Sequence, residues 1–402
     1  MNKGTIKKFY FPLAFSFLAL LSIITFNCAD DPSSLGLGFI PPGETTGVRT
    51  FDSYVDTLPI TSSNIKKYIN TSQSTYLMVG KSGNYDSKAI LRFTALSSDY
   101  DSAVVNYAKI NLKYKNYYFP YTAMDSLGQI SFDVYTIQYK IDPFTITIDS
   151  VNSMTFGTTP IGSFTGTPTF DSSEVSFNLN AATVKGWLDF AADTNSAIKN
   201  YGIVFIPNGG SMTIKGFNSA VTSADIRPEI EISVTKNGVT DTITSNLCQS
   251  TSLVNTSFVS NPEIFNIQSG VAFDQIMRFD LSRLASTVIL NDVQIFLTLD
   301  SANSNLHNLT SLKILRTYVF SDTAGFILET TIYDSRIVNN QYMIRIINPF
   351  QRWVQGQTNY GILLTAKNDF QSLDHYSFYD MTASDPNKRP RVIIKYTPRI
   401  TP

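Results

Sequence analysis

Apolar and polar residues alternate with a period of two along much of this chain. In Lys109–Phe119, Ile110, Leu112 and Tyr114 alternate with Asn111, Lys113 and Lys115, and in Pro228–Val234 Ile230, Ile232 and Val234 alternate with Glu231 and Ser233. Val293, Ile295, Leu297 and Leu299 repeat the pattern. Period two predicts strands with one face buried. The abundance of Thr, Val, Ile, Tyr and Phe suits a pleated surface, and turns rich in Ser, Asn, Asp and Gly separate the runs at short spacing. The predicted fold class is all-β, as antiparallel sandwich rather than α/β.

A repeat sets the predicted domain count. "AILRFTAL" at 89–96 is echoed by "QIMRFDLS" at 275–282, aligning Arg92 with Arg278 and Phe93 with Phe279. "VKGWLDF" with "NYGIVFI" is matched by "FQRWVQG" with "NYGILLT", and these hold the two tryptophans of the chain, Trp187 and Trp353. "RPEIEISV" is matched by "RPRVIIKY". Four landmarks in one order predict two sandwich modules in tandem, at 49–238 and 249–402, joined by a polar linker at 239–248.

The landmarks carry structural expectations. Asn348 and Pro349 before Phe350 and Trp353 read as the N-cap and first position of a short helix, and Val184 and Trp187 have the same spacing after Asn180. Each tryptophan is expected to plug a sandwich from such a helix; an exposed ring for sugar stacking is the alternative. Arg92 and Arg278 sit inside apolar strands and are expected in the structural core, held by an ion pair or carbonyls.

The first 27 residues read differently. Lys3, Lys7 and Lys8 precede an uncharged apolar run from Phe9 to Phe26, the pattern of an export signal, although a membrane-retained anchor could use the same residues. Ile24–Cys28 resembles the cleavage box of bacterial lipoproteins, which implies a lipid on Cys28 after removal of residues 1–27. Asp30 and Asp31 resemble the acidic signal that carries lipoproteins of Bacteroidetes-type bacteria to the outer face of the outer membrane. Residues 28–48 form an acidic, Pro- and Gly-containing tether, and "SSLGLGFIPPGE" within it resembles the N-termini of an uncharacterised Bacteroidetes lipoprotein family.

Composition narrows the chemistry. The chain has 402 residues, 43% of them hydrophobic, enough for two cores. Without the three lysines of the signal, 28 basic residues face 32 acidic ones, a formal charge of −4, which argues against nucleic acid as a partner. With Cys28 acylated, Cys248 has no intrachain partner, so burial must supply the stability. The two histidines, His307 and His375, lie far apart, and no motif gives zinc-ligand spacing, a nucleophile elbow or a phosphate loop. No cofactor and no enzymatic activity are expected, while a calcium site made by loop carboxylates stays open.

The candidate for ligand contact is "KNYYFPYTAMD". Tyr117, Tyr118, Phe119 and Tyr121 crowd a strand end, and alternation forbids that all point inward; Tyr117, Tyr118 and Tyr121 are the expected binding residues, for a glycan or a protein surface. A loop folded over the sandwich edge is the other reading. Together the "LRF" strand, the Trp-bearing helix, "NYGI" and the closing "RP" strand resemble the DNRLRE-type modules of secreted bacterial proteins, which are carbohydrate-binding-module-like jelly rolls. "DSYVDTLP" at Asp52–Pro59 is similar to their opening strand, and the second copy lacks a clear counterpart of it. The resemblance implies fold and surface location without fixing a ligand. The expectation is a lipid-anchored, outward-facing outer-membrane protein attaching to a glycan or a surface protein. A structural component of the envelope or of an extracellular assembly is the alternative, and a β-rich glycan-degrading enzyme a further one.

Overall fold

A computed structural model describes residues 47–398, apart from 67–68, 123–125, 153–154, 170–172, 257–260, 271–272, 308–312, 368 and 370. These residues form 22 antiparallel strands and three short α-helices, arranged as two eleven-stranded, sandwich-like units.

The first unit holds β3 (Tyr76–Ser82), β4 (Tyr85–Phe93), β5 (Val104–Phe119), β6 (Ile130–Thr136), β7 (Gly162–Gly166), β8 (Glu174–Leu179), β9 (Ile203–Pro207), β10 (Ile214–Asn218), β11 (Glu229–Lys236), β12 (Val239–Ser245) and β13 (Cys248–Asn255). The second holds β14 (Ile264–Gln268), β15 (Phe273–Phe279), β16 (Ile289–Thr298), β17 (Ile314–Asp322), β18 (Ile327–Val338), β19 (Gln341–Arg345), β20 (Ile362–Ala366), β21 (His375–Tyr379) and β22 (Arg391–Thr397). It is completed by the two strands that open the described chain, β1 (Arg49–Asp52) and β2 (Ile60–Lys66).

This crossing of strands corrects the linear domain boundaries. Cys248 on β13 stands opposite Phe93, and Ile60 on β2 stands opposite Phe279, so β13 lies on β4 as β2 lies on β15. Likewise Ile243 of β12 faces Ile232 of β11, and Phe51 of β1 faces Ile394 of β22. Strands β3–β13 thus match β14–β22 followed by β1–β2: the opening segment 49–66, assigned to the first module by sequence, is the missing part of the second. The predicted linker is a strand instead. Lys236 pairs with Val239 across Asn237 and Gly238, whose φ angles of 51° and 76° make a two-residue turn of the primed kind that suits twisted strands. The physical reason is edge satisfaction: without β13 and β2, the apolar strands β4 and β15 would each leave a row of backbone groups unpaired.

Two separate cores result. One gathers Leu91, Phe93, Ile110, Phe132, Trp187 and Phe205; the other gathers Phe51, Phe279, Ile295, Phe350, Trp353 and Phe378. The α1 helix (Ile148–Asn152) lies in a connection between β6 and β7 that covers the outer face of Ile90 and Val204. Strands of that sheet are therefore buried on both sides, which accounts for runs such as "YGIVFI" that do not alternate.

The tryptophans ride on α2 (Ala181–Ala192) and α3 (Ile347–Val354), and both rings are buried. The α2 helix begins as expected, with the Asn180 side chain accepting from the Thr183 amide at 3.0 Å. The α3 helix does not: it starts at Ile347, so Asn348 and Pro349 fall in its first turn and no side chain caps it. Gln351 secures it instead, accepting from the Leu290 amide (2.7 Å) and donating to the Val288 carbonyl (3.1 Å).

The other landmarks are joints. Asn200 donates to the Phe93 carbonyl at 2.9 Å and Asn359 to that of Phe279 at 2.7 Å, tying each "NYG" to its "RF" strand. Gly202 and Gly361 have φ of 109° and 90°, and a Cβ on Gly361 would lie 2.4 Å from the Met277 carbonyl oxygen, so both the conformation and the close approach require glycine. Arg227 and Arg389 hold the loops before them, donating through Nε to the carbonyls of Thr222 (2.7 Å) and Ala383 (2.8 Å). Arg92 and Arg278 are half-buried rather than core: alternation turns them away from Leu91, Phe93, Met277 and Phe279, and their side chains lie against the two glycines.

Candidate functional site

The tyrosine-rich end of β5 sits at the seam between the two units. Alternation sends Tyr114 into the first core, where it stacks on Phe217 at 4.9 Å, and turns Tyr117 and Phe119 to the opposite face of the sheet. There they join Met78, Ile214 and Val254 from the first unit and Leu373 from the second, with Tyr76, Tyr85, Tyr121 and Phe273 packed around them. Tyr117 is only 4% exposed, so its ring is not a platform for a ligand. Tyr121 is half-buried, with its ring 5.0 Å from the His307 imidazole. Tyr118 points the other way, half-buried, with the Lys215 ammonium 5.8 Å from its ring centre. The three tyrosines expected to share one binding surface are thus divided, and two of them serve the seam.

Hydrogen bonds fix the seam. Tyr85 donates its hydroxyl to Gln268 Oε1 at 3.0 Å, and Gln268 donates to the Leu373 carbonyl at 2.9 Å. The Leu373 amide donates to the Tyr121 hydroxyl at 3.4 Å, and that hydroxyl lies 3.5 Å from the one of Tyr117. Asp374, next in the chain, is buried beneath this contact and accepts from the His307 amide (2.9 Å) and the Ser372 hydroxyl (3.2 Å). Burial raises the Asp374 carboxyl above its ordinary range, the hydrogen bonds opposing it. Burial lowers His307, and the nearby Asp374 charge works against that shift. Tyr85, Tyr117 and Tyr121 are all pushed up by desolvation, which keeps their hydroxyls protonated and available as donors.

The remaining reactive side chains also have structural surroundings. His375 is pushed down to about 4 by burial and shares its Nε2 with Asn266 Oδ1 at 2.9 Å. The Cys248 thiol is pushed up to about 12 by burial, the reverse of what a nucleophilic thiolate needs. Among the described residues no three His, Cys, Asp or Glu side chains come together as a metal-binding group. Cys28, Asp30 and Asp31 lie outside the described residues.

Sequence reasoning missed Tyr85, Gln268, Leu373 and Asp374. Tyr85 follows the Gly83–Asn84 hairpin turn and reads as turn dressing; its ring packs edge-on against Phe119 at 4.6 Å, and its hydroxyl finds the Gln268 acceptor on the second unit. Exposed aromatic rings include Tyr107 on β5 and Phe326 before β18, along with Tyr139 and Phe144, 41% and 49% exposed, on the connection between β6 and β7. A hollow of about 300 Å³ also lies there, lined by Thr136, Gln138, Ile161, Thr183, Ile198 and Lys199. Comparison with known proteins adds no assignment: no protein-family model matches the chain, and no curated protein matches it.

Proposed function

We propose that the chain is a lipid-anchored bacterial surface protein whose joined sandwiches serve in non-catalytic attachment, to a glycan or to a protein. The observation that carries the reading is Cys28 behind the basic and apolar export segment, followed by Asp30 and Asp31. The route from tether to fold supports it. Residue 48 leads directly into β1, which pairs with the last strand β22. Arg391 donates through Nε to Asp52 Oδ1 at 3.0 Å and makes a second contact to Oδ2, holding the Asp52 carboxyl below its ordinary range. Tyr54 donates to the Arg389 carbonyl at 2.6 Å. A load on the tether would thus meet a clamped strand rather than a free end.

Cys28→Ser should abolish lipid incorporation and either release the protein from membranes or leave its signal attached. Unchanged mass and equal membrane retention would refute the anchor. Replacing Asp30 and Asp31 by Ala should keep the lipid while reducing cleavage by protease added to intact cells.

With Tyr117 and Tyr121 spent on the seam, Tyr139 and Phe144 are the exposed rings this reading assigns to attachment, since aromatic faces stack on sugars and also serve protein contacts. Replacing both by Ala should change unfolding stability by less than about 0.5 kcal/mol, as surface substitutions do, and should remove retention on a glycan array or on cells. Undiminished retention would move the attachment surface elsewhere.

A further inference from the structure

The two units are controls for one another. In the second, Phe51 on β1 stands opposite Ile394 and is buried, with Leu58, Leu281 and Leu284 closing the mouth of the sandwich around it. In the first, Ile243 on β12 holds the place of Phe51, and Ala95 the place of Leu281. The smaller side chains leave an open hollow of about 200 Å³, lined by Ala95, Leu96, Ile230, Ile232, Ile243 and Ser245. That is below the roughly 300 Å³ at which small-molecule sites begin, and suits inserted side chains instead.

The strand beside the hollow is open. Among the described residues β12 pairs on one side only, with β11, and most of its residues are exposed. Its sequence, Val-Thr-Asp-Thr-Ile-Thr-Ser, has neither the lysine nor the proline that commonly guards an edge, and its single charge, Asp241, accepts from the Tyr100 hydroxyl at 2.8 Å. An unguarded edge next to an apolar hollow is the arrangement that accepts an added strand, with backbone bonds on the edge and alternate side chains in the pocket.

We propose that the occupant is the Leu35–Ile40 segment of this chain. Leu35, Leu37 and Phe39 alternate with Gly36 and Gly38, so one face of an extended strand would be apolar and the other bare. Pro41 and Pro42 then end the ladder, because proline supplies no amide donor. The segment lies just upstream of β1, the strand whose Phe51 fills the equivalent mouth. Residues 41–48 span at most about 29 Å when extended, the reach within which the segment serves its own chain; donation from a neighbouring copy is the alternative outcome that the dilution arm below detects. The proposal requires only that residues 33–42 remain in the mature chain, and does not depend on the lipid.

Amide hydrogen exchange on β12 tests it, comparing residues 28–402 carrying Cys28→Ser with a chain that starts at Gly47. The outward amides of β12 should exchange at least about tenfold more slowly in the longer chain, the signature of hydrogen-bonded protection. A synthetic peptide of residues 33–42 should restore protection to the shorter chain, and the same peptide with Leu37→Asp and Phe39→Asp should not. Ile243→Phe in the shorter chain should fill the hollow and block the peptide while leaving circular dichroism unchanged. Equal exchange in the two chains, or protection that survives the Asp substitutions, would overturn the assignment. Dilution tells the two donors apart, since only protection from a neighbouring copy weakens with concentration.

Discussion

A chain that starts at Ile69 should keep its first unit folded and lose cooperative unfolding of its second. The deletion removes β1 and β2, and with them Phe51, Leu58 and Ile60 from the second core. At about 1.5 to 3 kcal/mol for each fully buried side chain, the loss is roughly 5 to 9 kcal/mol, comparable to the about 5 to 15 kcal/mol that holds a typical domain together. The seven-residue pairing of β2 with β15 disappears as well, exposing an apolar edge. Thermal unfolding followed by near-ultraviolet circular dichroism should show the second unit's signal lost at all temperatures. A peptide of residues 47–66 should restore it in a concentration-dependent way. A truncated chain that unfolds like the full one would mean that the crossing strands are dispensable. Two modules in simple tandem predict the opposite, since removing the opening segment would then damage the first unit.

Trp187→Ala should destabilise the first unit by about 3 to 5 kcal/mol, the range for deleting a large buried aromatic. The ring is 2% exposed and shares its core with Val184, Leu188 and the strands facing α2. Gly186 beside it already lies so close to Ile198 that a Cβ there would be 2.5 Å from it, which leaves the helix little freedom to collapse into the cavity. Chemical denaturation of the variant should show a lowered midpoint for one transition, with the second unit, built around Trp353, unaffected. A cost below about 1 kcal/mol would assign the ring to an outer surface instead.

The landmarks legible in the sequence were those whose physics is local or repeated. Period-two alternation in β5, β11 and β16 required a half-buried sheet, and the recurring "RF", Trp, "NYG" and "RP" elements marked joints that each unit must make once. Those joints rest on groups a few residues wide: an asparagine reaching one carbonyl, a glycine at positive φ, an arginine holding the loop before it. The Asn237–Gly238 turn was equally local and could have been read as a hairpin; the polar composition of β12, an edge strand with a wet outer face, disguised it as a linker.

Which copy a strand belongs to was not decided by the chain order. "ITSSNIK" and "CQSTSLVN" suit an edge of either unit, because a strand's own pattern states which face is buried and not which neighbour it meets. Pairing of β2 with β15, and of β13 with β4, is settled by where the whole chain brings the edges. The seam follows the same rule. Alternation required only that the rings of Tyr117, Tyr118 and Phe119 not share one face; the structure turns Tyr117 to the outer face of its sheet, and the second unit, laying Leu373 and Gln268 over that face, buries it. Tyr139 and Phe144 meet no such cover and stay exposed. Sequence set the faces of the strands, and tertiary packing decided which of those faces would ever see water.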